Sequence, residues 1–393
     1  MHPDVLIDGL RIALENFRKR GHAQYGGDAD VICRQVVDAC WNGTYLKAGA
    51  GHLDQFWMRD LGWCVDDLVR FGYADRVEAS LDFALDRYVA ADAVTTTIFR
   101  HRTPADVYTF ATDSLPFLFY CLRKAKMEDR IHRHREFFQR QIHLYVRTAV
   151  DELTGMVRKD RYFSTCKDVM RYASTCTSNC FLHLLRQEIA KHEGLQDPLG
   201  QDPASRDKLA ADILRVYWRE DHFINDDVSK KPFMSADANV WPFWCGVVDS
   251  TDMLRRAVQA VGEAGLDSPF PIRYHRNLDR KAVYPLARAF IPNYQGDSIW
   301  TLLGPLWIGL VAEVDLAKAR RQLDRYTELI EQYGTFVEVF EPDGRSPLRG
   351  RFGHGSAFGM LWAVMYLGRK ADLSEASGDA SPSTLKEDTD HER

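Results

Sequence analysis

The sequence predicts an all-α fold, an (α/α)6 barrel in which a double ring of about twelve helices surrounds one cleft, and two observations carry that prediction. Apolar residues recur at i, i+3, i+4 and i+7 through most of the 393 residues, while alternating, strand-like runs are few. The segments also alternate in character, first aromatic-rich and apolar nearly all round, then one-sided and charged. A helix apolar on every face is buried and a one-sided helix lies outside, so the alternation describes an inner and an outer ring.

The periodicity places helices at 4–20, 28–40, 57–71, 74–90, 109–125, 128–149, 170–192, 204–219, 237–248, 250–264, 297–313, 315–333 and 355–368. Breaks such as Trp41–Gly43 and Phe71–Tyr73 separate them. Aromatic-rich 57–71 precedes charged 74–90, 109–125 precedes the basic 128–149, and 297–313 precedes the polar-faced 315–333. The stretch 193–204 reads as a loop. The Pro-, Arg- and Tyr-rich segment 266–296 reads as a longer one, of a length often tied to function. Residues 1–369 form one expected domain, and the polar segment 370–393 an expected disordered tail.

A formal charge of −5 and the lack of any Lys/Arg block argue against nucleic acid as a partner. The longest apolar runs, such as Leu115–Leu122, are too short to cross a bilayer, and the N-terminus has no secretory pattern. The eight cysteines include no CxxC pair, which points to free buried thiols, a cytoplasmic location, and neither metal nor cofactor. Nothing in the pattern fixes an oligomeric state.

A helical double ring gathers the loops preceding its inner helices around the cleft, so those entrances hold the candidate residues. They are Trp57, Arg59 and Asp60; Asp113; Lys167, Asp168 and Arg171; Asp237, Asn239, Trp241 and Trp244; and Tyr294, Gln295, Asp297 and Trp300. Before the last helix come Glu338, Glu341 and His354. A single Asp at such a position is explained by helix capping. Five entrances combining carboxylates with Trp, Tyr, Arg or Asn suit a carbohydrate better, because aromatic faces stack on sugar C–H groups while carboxylates and Arg bind hydroxyls. The expected partner is a small soluble sugar derivative.

Four segments carry a family resemblance. "FWMRDLGWCVDDLVRFG" resembles the W-x-RD helix of (α/α)6-barrel glycoside hydrolases: glucoamylase, trehalase, processing α-glucosidase I and amylo-1,6-glucosidase-like proteins. "FATDSLPFLFYCL" is similar to their segment with a substrate-binding Asp, and "YFSTCKDVMRYASTCTSNCFLHLL" to the one bearing their general acid. "YGTFVEVFEPDGRSPL", with the following "FGHGSAFGMLWAV", resembles their general-base segment and final helix. The order matches over roughly residues 41–368, although this chain reads "CKD" where relatives have a Glu-Glu or Trp-Asp pattern. The resemblance implies an inverting, exo-acting α-glycosidase with Asp168 as acid and Glu338 as base, Glu341 being the alternative base.

Inversion needs a protonated carboxyl and an opposed carboxylate, roughly 6.5–9.5 Å apart to leave room for water. Lys167 and Arg171 flank Asp168 and would lower its pKa if they faced it, unless Arg171 binds an anionic substrate group. Arg59 and Asp60 would hold hydroxyls at the deepest subsite with Trp57 as a wall, or else form an internal ion pair. Arg100, His101, Arg102 and the stretch Arg273–Arg288 suit an acidic aglycone such as a glycerate carboxylate. Asp66–Asp67 lacks the third Asp of a terpene-cyclase motif, and Gly353–Gly355 lacks the Cys of a lanthionine-cyclase zinc segment. The His-rich "RIHRHREFF" reads as a solvated outer helix. The rivals on the same ring are a sugar epimerase, which the scarcity of cleft histidines beyond His354 and His101 disfavours, a uronyl hydrolase, and a catalytically silent sugar-binding protein.

Overall fold

The computed structural model describes residues 23–376 except 52, 102, 277–280 and 352, together with Ile7, Leu10, Arg11 and Leu14. Those four N-terminal residues are helical, and the rest of the helix expected at 4–20 lies outside the described residues.

Fourteen α-helices are described. An outer set comprises α1 (Ala29–Cys40), α3 (Ala74–Ala91), α5 (Glu128–Arg133), α6 (Arg135–Ala149), α8 (Pro203–Tyr217), α10 (Thr251–Glu263) and α13 (Leu316–Tyr333). Between them run the inner helices α2 (Met58–Arg70), α4 (Ser114–Lys124), α7 (Cys176–Ile189), α9 (Trp241–Trp244), α12 (Leu303–Ala312) and α14 (Ala363–Glu375). The short α11 (Pro285–Phe290) lies within the long loop expected at 266–296. Inner neighbours pack in turn, α2 on α4, α4 on α7, α7 on α9 and α12 on α14, and α14 returns to pack on α2 and on α1. The ring is closed by its own last helix.

Burial follows the sequence logic. In α4 all residues from Ser114 to Leu122 are buried, whereas α13 buries one stripe including Ala319, Leu323, Tyr326 and Ile330. The inner helices approach closely where side chains are small. A Cβ on Gly62 of α2 would lie 2.4 Å from the Phe117 ring of α4. All eight cysteines are free and buried. Among the described residues no helix is long and apolar enough to cross a membrane.

The inner helices start later than periodicity predicts. The segments expected as helix at 170–175, 297–302 and 355–362 are extended or turn structure, and 237–248 is reduced to a 3-10 turn (Asp237–Asn239) followed by α9. Their backbones pair across the top of the ring instead. Strands β1 (Phe56–Trp57), β2 (Thr97–Ile98) and β3 (Pro104–Ala105) form one small antiparallel sheet. The pair β4 (Trp218–Arg219) and β5 (His222–Phe223) is a hairpin, while β6 (Ile299–Trp300) joins β7 (Val339–Phe340). A last pair, β8 (Arg349–Gly350) and β9 (Gly353–His354), precedes α14, which runs to Glu375, past the boundary expected at Lys370. Residues 377–393 lie outside the described set.

Side-chain caps fall mostly on the outer ring, the inner α7 being capped by Thr175. Asp28, Asp202, Ser250 and Asp315 cap the outer helices α1, α8, α10 and α13 by accepting backbone N–H groups. At α2, α4, α12 and α14 no side chain caps the helix. Asp113 occupies the N-cap position of α4, yet its carboxylate turns elsewhere. The polar groups at the inner entrances are thus directed to one another.

Candidate active site

Arg59, in the first turn of α2, is the buried cation at the centre. Its Nε lies 3.0 Å from Asp113 Oδ2 and its Nη1 3.1 Å from Asp168 Oδ2, and Nη2 donates to Ser164 Oγ at 3.0 Å. Asp60, the next residue, accepts the indole N–H of Trp362 at 3.0 Å. Trp57 covers the guanidinium, its ring centroid 5.9 Å from Arg59 Cζ.

Asp168 sits in the turn that precedes α7, and two side chains hold its carboxyl. Arg59 binds Oδ2, and Gln295 Nε2 donates to Oδ1 at 3.0 Å. The same Nε2 donates to Cys166 O at 2.8 Å, while Gln295 Oε1 accepts from Val169 N at 2.9 Å. Burial raises the Asp168 pKa against the opposing pull of Arg59 and Gln295.

Glu338 lies immediately before β7. Its Oε1 accepts the Tyr294 hydroxyl and its Oε2 the backbone N–H of Ala357 at 2.8 Å. Its own N–H binds Ala357 O at 3.0 Å, and Thr301 N donates to its carbonyl at 3.1 Å, so main chain and side chain are both fixed. Burial pushes the Glu338 carboxyl up to about 7, opposed by those two donors and reinforced by the Asp168 charge. Burial carries Asp60 up to about 8, with Arg59 and Trp362 pulling down and Glu338 and Asp168 pushing further up. Asp60, Asp168 and Glu338 therefore form one electrostatic group drawn from three distant parts of the chain.

Lys167 and Arg171, the two cations expected to bear on Asp168, point away from it. Lys167 Nζ pairs with Asp237 Oδ1 at 2.6 Å, hydrogen-bonds Asn225, and lies 5.2 Å from the Tyr274 ring centroid. Asp237 Oδ2 is taken by Thr177 at 2.7 Å. Arg171 lies over Tyr284, 5.8 Å from its ring centroid, and donates to Lys281 O at 2.5 Å. The cation on Asp168 is Arg59.

Several of the residues expected to bind ligand make contacts within the protein. Asp113 is fully buried beneath Arg59. Asn239 spends its amide on Phe223 N, Phe223 O and Ser235 O, each at 2.9 Å. Trp241 is fully buried and stacks with Trp63 at 6.5 Å, and Trp63 meets Trp362, so these indoles plug the ring below the site. Trp244 packs against Phe117 and Tyr120 in the same plug. Glu341 accepts Arg349 N at 2.9 Å within the β7–β8 connection. Trp300 is buried, with its N–H on Tyr294 O at 2.6 Å. Asp297 is half-buried, its main-chain N–H bound to Asn293 Oδ1 at 3.1 Å. His354 lies in β9, and its side chain is outside the described set.

The structure adds residues absent from the sequence-based set. Tyr294 was visible at its entrance, but its hydroxyl contact with Glu338 was not. Tyr108 and Tyr284 stack face to face, centroids 4.5 Å apart and planes 9° apart, beside Asp168, whose charge raises both phenols further above the level set by burial. Tyr108 takes φ +67, a left-handed conformation uncommon outside glycine, consistent with a backbone held for its side chain. Neither Tyr belongs to a motif.

No protein-family model matches the chain, and no curated protein matches it in sequence. Its structural likenesses are to glycosidases. A wild-type glycosidase aligns with TM-score 0.60 at 15% identity, covering 88% of this chain and 96% of that one. A rhamnosidase from Klebsiella oxytoca with rhamnose bound aligns with TM-score 0.61 at 15% identity, over 88% of this chain and 63% of its own. A GH63 mannosylglycerate hydrolase from Thermus thermophilus, in complex with Tris and D-glycerate, aligns with TM-score 0.60 at 10% identity, over 87% of this chain and 100% of its own. The class defined is architectural: the chain has the (α/α)6-barrel fold these glycosidases share.

Proposed function

We propose that this protein is an inverting, exo-acting α-glycosidase for a small soluble glycoside, with Asp168 as general acid and Glu338 as general base. The observation that supports it most is Glu338 itself. It is a buried carboxylate with both oxygens on fixed donors, in electrostatic contact with a second buried carboxyl on a different element. Donors on both oxygens favour the ionised form that a base requires, while burial raises its basicity towards neutral pH.

In the step proposed, Asp168 gives its proton to the glycosidic oxygen, and the C1–O bond breaks with its electron pair on that oxygen. A water on the opposite face forms the new bond to C1 and passes one proton to Glu338. Solvent then returns a proton to Asp168 and removes one from Glu338. Arg59, Asp60 and Trp57 close the deep end, where a non-reducing sugar would dock. On the acid's side, Arg171, with its Cζ 5.8 Å from the Tyr284 ring centroid, suits an acidic aglycone, a reading supported by the D-glycerate complex of the GH63 neighbour. Equal turnover of neutral and acidic glucosides would sink that part.

The test is proton NMR with trehalose, maltose, isomaltose, sucrose, kojibiose, glucosylglycerate and mannosylglycerate. Early release of the β-anomer from any of them, abolished in Asp168→Asn and Glu338→Gln, is the expected result. Saturable sugar binding without turnover would instead support a silent binder. A second assignment of the proton donor, Asp60, is favoured by its burial beside Glu338 and Asp168, which pushes its carboxyl up to about 8. Asp60→Asn with full activity on good leaving groups and none on poor ones would decide for it.

A further inference from the structure

Gln295 spends both amide hydrogens and its carbonyl oxygen on the residues around one carboxyl. It is 1% exposed. Its acceptor takes Val169 N at 2.9 Å, and its two N–H groups go to Cys166 O at 2.8 Å and Asp168 Oδ1 at 3.0 Å. The orientation of the amide follows from its partners, because an N–H faces the oxygen and two oxygens face the nitrogen. Leu or Met would leave those groups orphaned, and ionised Glu would set charge against charge.

We infer that Gln295 is the positioning residue of the proton donor, fixing the backbone on both sides of Asp168 and the orientation of its carboxyl group. The inference rests on Asp168 being the acid. Gln295 Nε2–H on Oδ1 and Arg59 Nη1–H on Oδ2, at 3.1 Å, hold the carboxyl group from both of its oxygens.

The neighbouring residue extends the argument. Tyr294 donates its hydroxyl to Glu338, and its carbonyl is pinned by Trp300 Nε1 at 2.6 Å and Ser298 Oγ at 2.8 Å. Two consecutive residues thus hold the two carboxylates, Tyr294 the one assigned as base and Gln295 the one assigned as acid. The spacing of the pair is built into one dipeptide.

The titration of Asp168 is set by Arg59, Asp60 and Asp113 from the α2 and α4 entrances and by Glu338 beside β7. The phenols of Tyr108, Tyr274, Tyr284 and Tyr294 also face it. Only the Gln295 contact changes in the test.

The test follows the carboxyl carbon of Asp168 by 13C NMR in protein labelled at Asp Cγ, the signal assigned by its loss in Asp168→Asn. In Gln295→Glu the midpoint is expected to rise by about one unit or more, through loss of a donor and gain of a negative neighbour. Gln295→Asn, too short to reach the carboxylate and both backbone groups, is expected to move it the same way and serves if Gln295→Glu does not fold. An unmoved midpoint in a folded variant overturns the inference.

A kinetic arm compares maltose with α-D-glucosyl fluoride, whose leaving group needs no proton. At least a tenfold greater loss on maltose is expected, and equal losses would mean a merely structural residue. If Asp168→Asn still hydrolyses maltose, the assignment of the acid fails, while the NMR midpoint still decides whether Gln295 controls Asp168.

Discussion

Arg59 reaches past Asp60, its neighbour in sequence, to pair with Asp168 at 3.1 Å, a residue 109 positions further along the chain. The guanidinium also holds fully buried Asp113, so one cation stabilises two acids from different entrances. Removing it leaves two carboxylates without a counter-ion in a desolvated site.

Arg59→Met is therefore expected to destabilise the protein by about 3–5 kcal/mol, the range for breaking a buried ion pair from one side. Urea denaturation at neutral pH measures it. Adding Asp113→Asn should recover part of the loss, since the orphaned charge is then gone.

Activity is expected to rise with pH through about 7. Glu338 acts as a base only when ionised, and its folded pKa stands at about 7 because burial disfavours the charge. Tyr294→Phe removes a donor to the ionised form, so the acidic limb of the kcat/KM profile should move to higher pH. A limb that stayed in place would separate Glu338 from the base role.

Asp60 contributes a pH-dependent stability of known sign. Its folded pKa of about 8 exceeds the unfolded 3.8, so between those values the folded state binds more protons and stability falls as pH rises. Asp60→Asn keeps an oxygen for the Trp362 N–H and cannot ionise. Its melting temperature should fall less between pH 5 and pH 9 than that of the wild type, as read by a thermal scan.

Lys167 and Arg171, four residues apart, should behave oppositely. Lys167→Met leaves buried Asp237 unpaired and is expected to cost about 3–5 kcal/mol. Arg171→Ala should change stability by within about 0.5 kcal/mol but raise KM for an acidic glucoside more than for a neutral one. Denaturation curves and paired steady-state kinetics check both.

At Gly62 the expectation is steric. Gly62→Ala sets a methyl 2.4 Å from Phe117 between two inner helices, and overpacking of that kind costs about 1–3 kcal/mol. A fall in the urea midpoint at unchanged m-value is the signature.

The double ring was legible because amphipathic period and apolar excess are local properties, and they separate α4 from α13 without any structure. The inner helix starts were not. Ile299 and Trp300 satisfy a helical pattern, yet their backbones pair with Phe340 and Val339, a partnership no local window contains. The entrances with Arg59, Asp168 and Glu338 could be read from composition, since carboxylates beside aromatics are unusual at buried helix starts. What each residue touches could not. Trp241 reads identically as a sugar platform and as a core plug, and the stack of Tyr108 on Tyr284 joins residues with no shared motif. The long loop at 266–296 was expected to be functional from its length alone, and the partners of Tyr294 and Gln295 now give that expectation specific atoms.

The hydrogen bond from Trp362 to Asp60 spans 302 positions, and the final helix closes the ring on the first two. During synthesis, the first inner helix emerges long before the group that completes its carboxylate. A ribosome-bound or truncated fragment ending before Trp362 has an open ring and an exposed acid, however well its earlier hairpins have formed. The Trp362 contact to Asp60 is therefore missing from every partial product, and a stop codon just upstream of Trp362 should yield a helical but inert and aggregation-prone chain.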